Sequence, residues 1–197
     1  MFLLSLFVEY PDYSDVPTEL MYTGRKDFCP KPEFWHAADY DSTEYEVLEL
    51  VSAFVRALQP EVVIETGSCY GIGSARIARA LQANGHGKLY SLEINQERAF
   101  TARKAVEGLP AEIVLGDSLK WSPPGEIGFC FFDSYPELRA LEFRRYKPHM
   151  VKGAIVSFHD AAPHHQVYWF IEELEREGLL KPIRLHTPRG VVFAEVL

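Results

Sequence analysis

Short runs of apolar and β-branched residues alternate along most of this chain with amphipathic stretches. The apolar runs predict β-strands, which we place at 62–66, 88–93, 112–115, 128–133, 153–158, 182–186 and 190–196. The amphipathic stretches predict helices between these strands, at 74–84, 95–107, 136–147 and 165–178. A further helix is predicted over 43–58, and Thr43 and Glu46 have the spacing of a capping box at its start.

Near-continuous apolar strands separated by helices indicate a parallel sheet that is covered on both faces. Only Thr187, Pro188 and Arg189 separate the last two predicted strands, so no crossover helix fits between them. These two strands should therefore pair as an antiparallel hairpin. The predicted fold class is α/β, with a doubly wound, mostly parallel seven-stranded sheet that ends in an antiparallel C-terminal hairpin.

The domain organisation follows from where the regular pattern begins. Residues 42–197 should form a single domain, and residues 1–41 should form an N-terminal arm. The arm is rich in proline and aromatic residues, so it should either pack on the domain as a strap or cover a site as a lid. Its apolar start, Phe2 to Val8, is too short to span a bilayer and predicts a buried contact such as a homodimer interface.

Composition and charge narrow the class of protein. The chain has 47% hydrophobic and 24% charged residues, which is ordinary for a soluble globular protein. Its formal net charge of −8 disfavours nonspecific binding to nucleic acid, because the chain repels a phosphate backbone on average. Three cysteines without metal-binding spacing suit the reducing cytoplasm. The fourth predicted helix carries four basic residues, Arg139, Arg144, Arg145 and Lys147. Their helical spacing favours a solvated face over a nucleic-acid-binding patch.

The first predicted strand ends at Glu65 and leads into a turn that contains Gly67, Gly71 and Gly73. A strand, a glycine-rich turn and a helix N-terminus together form a cradle for a nucleotide-like ligand. The spacing Glu-x-Gly-x-x-x-Gly-x-Gly resembles the first motif of class I S-adenosylmethionine-dependent methyltransferases. The resemblance implies that Glu65 and the turn, including Ser68, hold the amino-acid end of the cofactor.

Acidic residues at the ends of the next two strands extend this interpretation. Glu93 follows Gly73 by 20 residues, and a carboxylate at this offset can accept both hydroxyls of a ribose. In the family that the motif resembles, this acid binds the ribose. Similar proteins use the acid after the third strand, or the next backbone amide, for the adenine, and here these positions are Asp117 and Ser118.

The charge of the turn distinguishes two nucleotide cofactors. A dinucleotide presents a pyrophosphate, beside which Glu65 is unfavourable, whereas S-adenosyl-L-methionine carries a cationic sulfonium and a cationic ammonium. Arg76 also stands where the dinucleotide pattern requires a third small residue. Both observations favour S-adenosyl-L-methionine.

The fourth and fifth predicted strands end in Asp133 and in the pair His159-Asp160. These strand ends resemble a branch of small O-methyltransferases, some of which bind Mg²⁺ through acids on these two strands. The resemblance implies that Asp133, His159 and Asp160 face the methyl acceptor, and that Asp133 also belongs to the cofactor-binding residues. His159 is suited to accept a proton near neutral pH. It also implies a divalent metal at Asp133 and Asp160, for which Mg²⁺ and a softer ion are the alternatives.

The sequence therefore predicts a methyltransferase that uses S-adenosyl-L-methionine and methylates a small molecule, at oxygen, by direct in-line displacement. Three alternatives stay open: an NAD-dependent oxidoreductase, an aminopropyl-transferring enzyme on a similar fold, and a non-catalytic domain that binds the cofactor. The expected partners are the small-molecule acceptor and a second copy of the chain, and neither nucleic acid nor a membrane is expected.

Overall fold

The computed structural model describes residues 35–38, 41–163 and 165–197. These residues form five α-helices and seven β-strands. In chain order the elements are α1 (Tyr45–Leu58), β1 (Val62–Thr66), α2 (Ile72–Asn84), β2 (Lys88–Glu93), α3 (Gln96–Ala105), β3 (Ala111–Leu115), β4 (Ile127–Phe132), α4 (Arg139–Tyr146), β5 (Met150–His159), α5 (Gln166–Arg176), β6 (Leu180–Leu185) and β7 (Val191–Val196).

The described strands lie in one sheet with the order β3-β2-β1-β4-β5-β7-β6. Strands β1 to β5 pair in parallel, and β7 runs antiparallel to both β5 and β6. The predicted fold class, including the antiparallel C-terminal hairpin, is therefore confirmed. The strand order reverses between β1 and β4, which opens a crevice at the carboxyl ends of these strands.

Strand β5 shows the largest departure from the predicted boundaries. It covers Met150–His159, whereas the sequence predicted 153–158. Residues 151–153 are exposed, and Lys152 and Gly153 interrupt the apolar pattern between Val151 and the buried part of the strand, so the pattern predicts a later start. The pairing of β5 with β4 also shifts register between Ile127 and Phe129, which accommodates the longer strand.

The predicted capping box at the start of α1 is wrong. The hydroxyl of Thr43 donates to Asp133, at 2.5 Å, instead of capping the helix. The carboxylate of Glu46 accepts from the backbone N–H of His36 and pairs with its ring. Helix α1 begins at Tyr45 without a side-chain cap, because both candidate capping groups have partners from distant parts of the chain.

Side chains of β4 alternate between two cores, one on each face of the sheet. Phe129 and Phe131 pack with apolar residues of α1 and α2. Cys130 and Phe132 pack on the other face with α4 and α5, where the rings of Phe132 and Phe158 stack with centroids 5.0 Å apart. Burial on both faces explains why the central strands read as continuous apolar runs. None of the helices that the structure describes is both long and apolar enough to cross a membrane.

Most of the predicted N-terminal arm lies outside the described residues, which include only 35–38 and 41 of it. The apolar start of the arm lies in the part that is not described. The homodimer contact expected there stays a prediction, as does the choice between a strap and a lid.

The loop between β6 and β7 approaches the chain just after β5. Gly190 has φ of +78°, and a Cβ on it would lie 2.2 Å from the backbone nitrogen of Ala162. The backbone N–H of Ala161 donates to the carbonyl of Gly190 at 3.0 Å. Glycine at this position therefore holds the loop, and the adjacent Arg189, against the end of β5.

We expect Gly190→Ala to lower the free energy of unfolding by about 3 kcal/mol, because the new Cβ would meet backbone and adopt an unfavourable φ. Gly178→Ala is the matched control, since Gly178 also has a positive φ, of +71°, but no atom lies within 4 Å of its Cβ position. The control should lose only about 1 kcal/mol. Urea unfolding of both variants measures the difference, and equal losses would contradict a close approach at Gly190.

Candidate cofactor and acceptor site

A cavity of about 360 Å³ lies at the carboxyl ends of β1, β2 and β4. This volume lies within the range of about 300–1,000 Å³ that is typical of small-ligand pockets. Most residues predicted for the site line this cavity, namely Glu65, Gly67, Ser68, Gly73, Glu93, Asp117, Ser118, Asp133 and Asp160. Gly71 and His159 are buried and are not among the residues that line the cavity.

The turn between β1 and α2 forms one side of the cavity. The backbone N–H groups of Gly67 and Ser68 both donate to the carbonyl of Leu92, at 2.9 and 3.1 Å, which ties the turn to β2. A Cβ on Gly67 would lie 2.5 Å from the backbone oxygen of Asp133, so only glycine lets the turn lie against the end of β4. Gly71 caps the N-terminus of α2.

Glu65 is buried beneath this turn in a cage of serine hydroxyls. Its Oε2 accepts hydrogen bonds from Ser74 and from Ser91, the latter at 2.5 Å. A Cβ on Gly73 would lie 2.6 Å from Glu65 Oε1, so the missing side chain makes room for the carboxylate. Burial raises the pKa of Glu65 to about 7, while the bonds from Ser74 and Ser91 oppose the shift. A carboxyl that titrates near neutrality therefore lies at the cavity wall.

The carboxylate of Glu93 is fixed at the cavity edge by two backbone donors. Oε1 accepts the N–H of Asn95 and Oε2 accepts the N–H of Cys69, both at 2.9 Å. Each oxygen keeps a lone pair for a further donor. The side chain of Asn95 in turn caps α3, which holds this corner of the site rigid.

Asp117 and Ser118, which were predicted to bind the adenine, are held by contacts within their own loop and with helix α4. One oxygen of Asp117 accepts the N–H of Leu119, and the other pairs with Lys120 at 3.0 Å. The hydroxyl of Ser118 donates to Glu142 at 2.5 Å, and its carbonyl accepts from the hydroxyl of Tyr146 at 2.6 Å. The Asp117–Ser118 loop is therefore anchored to helix α4.

Sequence reasoning missed Glu142, a fully buried acid that ties three parts of the cavity wall together. Its carboxylate accepts hydroxyl hydrogen bonds from Thr66 at 2.8 Å, Ser134 at 2.7 Å and Ser118 at 2.5 Å. Burial raises its pKa, and these hydroxyl bonds oppose the rise. A signal was present, since Glu142 falls on the apolar stripe of α4 beside Phe143.

On the acceptor side, His159 is completely buried between two carboxylates. Its Nε2 lies 2.6 Å from Glu44 Oε2, and its Nδ1 lies 3.0 Å from Asp133 Oδ1. Burial alone would lower the pKa of His159, but the charges of Asp160, Asp133 and Glu44 outweigh it and raise the pKa to about 10. The imidazole is therefore cationic at neutral pH, and neither ring nitrogen is free to accept a proton from an acceptor.

Asp160 is held between two arginines. Its Oδ1 lies 2.6 Å from Arg189 Nε, and its Oδ2 lies 3.1 Å from Arg139 Nη2. Burial raises the pKa of this carboxyl, but His159 and the two arginines outweigh burial and hold the pKa well below its usual range. The prediction that Arg139 lies on a solvated face is wrong, because its residue surface is only 2% exposed.

Four consecutive residues before α1 close this side of the cavity. Asp41 pairs with Arg98 at 2.9 Å, and the carbonyl of Ser42 accepts from Arg189 at 3.1 Å. The next two are Thr43 and Glu44, which bond Asp133 and His159 as described above. Residues 41–44 are thus part of the wall. Their local pattern predicts only the start of a helix, which is why sequence reasoning missed them.

The predicted metal site was tested against the donor set that is present. Asp133, His159 and Asp160 place one potential ligand atom each within 4.8 Å of the others. However, every carboxylate oxygen of the two aspartates already accepts a bond from an arginine, a histidine or a threonine. These residues therefore do not fit a divalent metal in the arrangement observed.

Comparisons with known proteins agree with this fold. Residues 64–161 match a family whose description is "Methyltransferase domain". This range begins in β1 and ends just after Asp160, so it contains the cofactor turn and both acidic strand ends. No curated protein sequence matches the chain.

Many solved structures share the fold. An O-methyltransferase from Bacillus cereus, in complex with SAH, has a TM-score of 0.71 at 16% sequence identity, with 81% of this chain and 84% of that chain covered. The SAH-bound methyltransferase of Podospora anserina gives 0.70 at 13% identity and covers 80% of both chains. The O-methyltransferase TomG from Streptomyces achromogenes, in complex with SAM, gives 0.66 at 20% identity and covers 79% and 81%.

At these identities the structural likeness establishes the fold. The family match adds what the fold alone does not give, since one fold hosts many activities. The match over residues 64–161 therefore assigns this part of the chain to the family of methyltransferase domains.

Proposed function

We propose that this chain transfers a methyl group from S-adenosyl-L-methionine to an oxygen atom of a small-molecule acceptor. The observation that carries the proposal is the convergence of Glu65, Glu93 and Asp133 on one cavity at the point where the strand order reverses. Acids suit a ligand with a cationic sulfonium, a cationic ammonium and a ribose. The SAH and SAM complexes of the Bacillus and Streptomyces O-methyltransferases support the same cofactor here.

The cofactor residues divide into three groups along the cavity. We assign the amino-acid end of the cofactor to Glu65 and to the turn that runs from Gly67 to Gly73 and includes Ser68 and Gly71. Glu93 is assigned to the ribose, because its fixed carboxylate has lone pairs to spare. The Asp117–Ser118 loop is assigned to the adenine edge. Glycine at positions 67 and 73 lets the turn pack directly against Asp133 and Glu65, where a Cβ would clash.

When bound, S-adenosyl-L-methionine supplies a methyl group that an acceptor oxygen attacks in line with the departing sulfur. The chain contributes alignment and exclusion of water. Among the acceptor-side acids, we assign Asp133 to the acceptor hydroxyl, since it lines the cavity and its side chain is 13% exposed. His159 and Asp160 are assigned as positioning residues. His159 contacts Asp133 through its Nδ1, and Asp160 accepts hydrogen bonds from Arg139 and Arg189.

The alternatives give different outcomes with purified protein. Binding of NAD in place of S-adenosylhomocysteine would favour an oxidoreductase. Transfer of an aminopropyl group to a polyamine would favour an aminopropyl-transferring enzyme. Tight binding of S-adenosylhomocysteine without methyl transfer to a panel of phenols, sugars and carboxylic acids would favour a non-catalytic domain.

We expect Asp133→Asn to lower kcat by about 100-fold or more, because Asp133 Oδ2, which accepts one hydrogen bond from Thr43 and keeps a second lone pair, would no longer be a carboxylate oxygen that can take the proton of the acceptor hydroxyl. Production of S-adenosylhomocysteine measures the rate, and calorimetry should show little change in cofactor affinity. Glu137→Gln is the control, since Glu137 is an exposed acid near the same strand end. An unchanged kcat in Asp133→Asn would contradict the role assigned to Asp133.

We expect Glu93→Ala to raise the Kd for S-adenosylhomocysteine by about 10- to 100-fold, because the ribose would lose hydrogen bonds to a charged group. Glu97→Ala, an exposed acid on the next helix, should bind like the wild type. Calorimetry gives both constants, and the melting temperatures show whether the loss of the Cys69 and Asn95 contacts has unfolded the corner. Wild-type affinity in a folded Glu93→Ala variant would refute ribose binding.

The pKa of Glu65 makes cofactor affinity depend on pH. Since the carboxyl titrates at about 7 in the free protein, a bound ammonium group should favour its ionised form and release a proton on binding. Affinity should therefore rise by about tenfold between about pH 6 and pH 8. Calorimetry with S-adenosylhomocysteine in buffers of different ionisation enthalpy counts the released proton. Glu65→Gln should abolish the pH dependence, and an equal slope in this variant would place the titrating group elsewhere.

A further inference from the structure

We propose that Arg139 is the resident cation of the acceptor side, and that this methyltransferase binds no divalent metal at Asp133 and Asp160. The placement of an acceptor beside Asp133 rests on the proposed function. The claim about metal binding rests only on the contacts that Arg139 and its neighbours make with the candidate ligand atoms.

The guanidinium of Arg139 lies between the two carboxylates that the resemblance assigned to a metal. Its Nη2 is 3.2 Å from Asp133 Oδ1 and 3.1 Å from Asp160 Oδ2. A single cationic nitrogen thus joins the end of β4 to the end of β5. This is the bridging position that a metal ion would take between acids on these two strands.

Arg139 is anchored by its other nitrogens as well. Nε donates to the carbonyl of Ser134 at 2.8 Å, and Nη1 donates to the carbonyl of His159. The side chain is 3% exposed and projects from the first residue of α4. Displacing the guanidinium would leave two buried carbonyls and two carboxylates without this donor, so the fold resists its exchange for an ion.

The remaining ligand atoms are also engaged. Asp160 Oδ1 is 2.6 Å from Arg189 Nε, and Asp133 Oδ2 accepts from Thr43 at 2.5 Å. The two ring nitrogens of His159 lie against carboxylates, so neither nitrogen is available to ligate a metal. Two guanidinium charges already offset the two aspartates, so a divalent ion added here would be repelled by Arg139 and Arg189.

A manganese titration of the whole protein tests the proposal directly. The EPR signal of the free ion measures how much Mn²⁺ is bound. We expect no saturable binding of Mn²⁺ to the wild type up to millimolar concentration, either with or without S-adenosylhomocysteine. Methyl transfer, once an acceptor is found, should be unchanged by EDTA and by added Mg²⁺. One Mn²⁺ bound per chain, displaced by Mg²⁺ and lost in Asp160→Asn, would overturn the proposal.

Removing the guanidinium supplies a second, positive test. We expect Arg139→Met, which keeps an unbranched apolar stem, to gain a Mn²⁺ site at least about tenfold tighter than any in the wild type, because each of the two aspartates then loses a cationic partner and Asp160 Oδ2 loses its donor. Arg144→Met is the control, since Arg144 lies on the same helix but pairs with Glu173 and Glu177 at the surface. A folded Arg139→Met variant that still binds no Mn²⁺ would count against Arg139 as the stand-in cation. If this variant does not fold, the wild-type titration still decides.

The same samples separate this proposal from the proposed function. Calorimetry with S-adenosylhomocysteine in the absence of metal reports on the cofactor site alone. If the cofactor analogue does not bind and Mn²⁺ does not bind, the proposed function fails while the inference about Arg139 stands. If the analogue binds and stoichiometric Mn²⁺ binds as well, only the inference about Arg139 fails.

Discussion

Charge burial at the carboxyl edge of the sheet is the constraint on which the rest of this structure depends. Parallel strands bring their ends to one edge, and here Glu65 is the last residue but one of β1, while Asp133 and Asp160 directly follow β4 and β5. A buried carboxylate without a partner is costly, so each must be protonated, hydrogen-bonded or paired with a cation. The molecule uses all three solutions, with serine hydroxyls and a raised pKa at Glu65, and cations at the two aspartates.

These solutions divide the cavity into two sides with different properties. The cofactor side is formed by backbone turns and by a carboxyl whose pKa is about 7, so its charge responds to the ligand that binds. The acceptor side is a fixed lattice of permanent ion pairs in which Arg139 and Arg189 hold Asp160. Charges held by fixed contacts of this kind are preorganised, so they need not reorient when charge develops beside them.

The acceptor side also links distant parts of the chain. Residues 41–44, the start of α4 and the loop at Arg189 all contribute to a wall around the ends of β4 and β5. Because residues 41–44 make hydrogen bonds to Arg98, Asp133, His159 and Arg189, the segment before α1 is a structural part of the site. Glu142 makes a similar link on the cofactor side. Its carboxylate accepts hydrogen bonds from Thr66, Ser118 and Ser134, which connect the end of β1 and two loops to helix α4.

The sequence by itself determined the fold and the location of the cavity. The features that predicted them are local patterns in the sequence: continuous apolar strands, the short connection before β7, and the glycine turn with Glu65 and Glu93. Such patterns depend on residues that are close in sequence, so they can be recognised without knowing which distant residues will be in contact. The partners of the charges were decided only by the tertiary structure. Arg139 has the spacing of a surface residue and His159 that of a base, yet both are buried ion-pair members, and Thr43 leaves its capping role for Asp133. The physical reason is that the protonation and exposure of a side chain depend on charges that the sheet brings together from more than a hundred residues apart, as with Glu44 and His159.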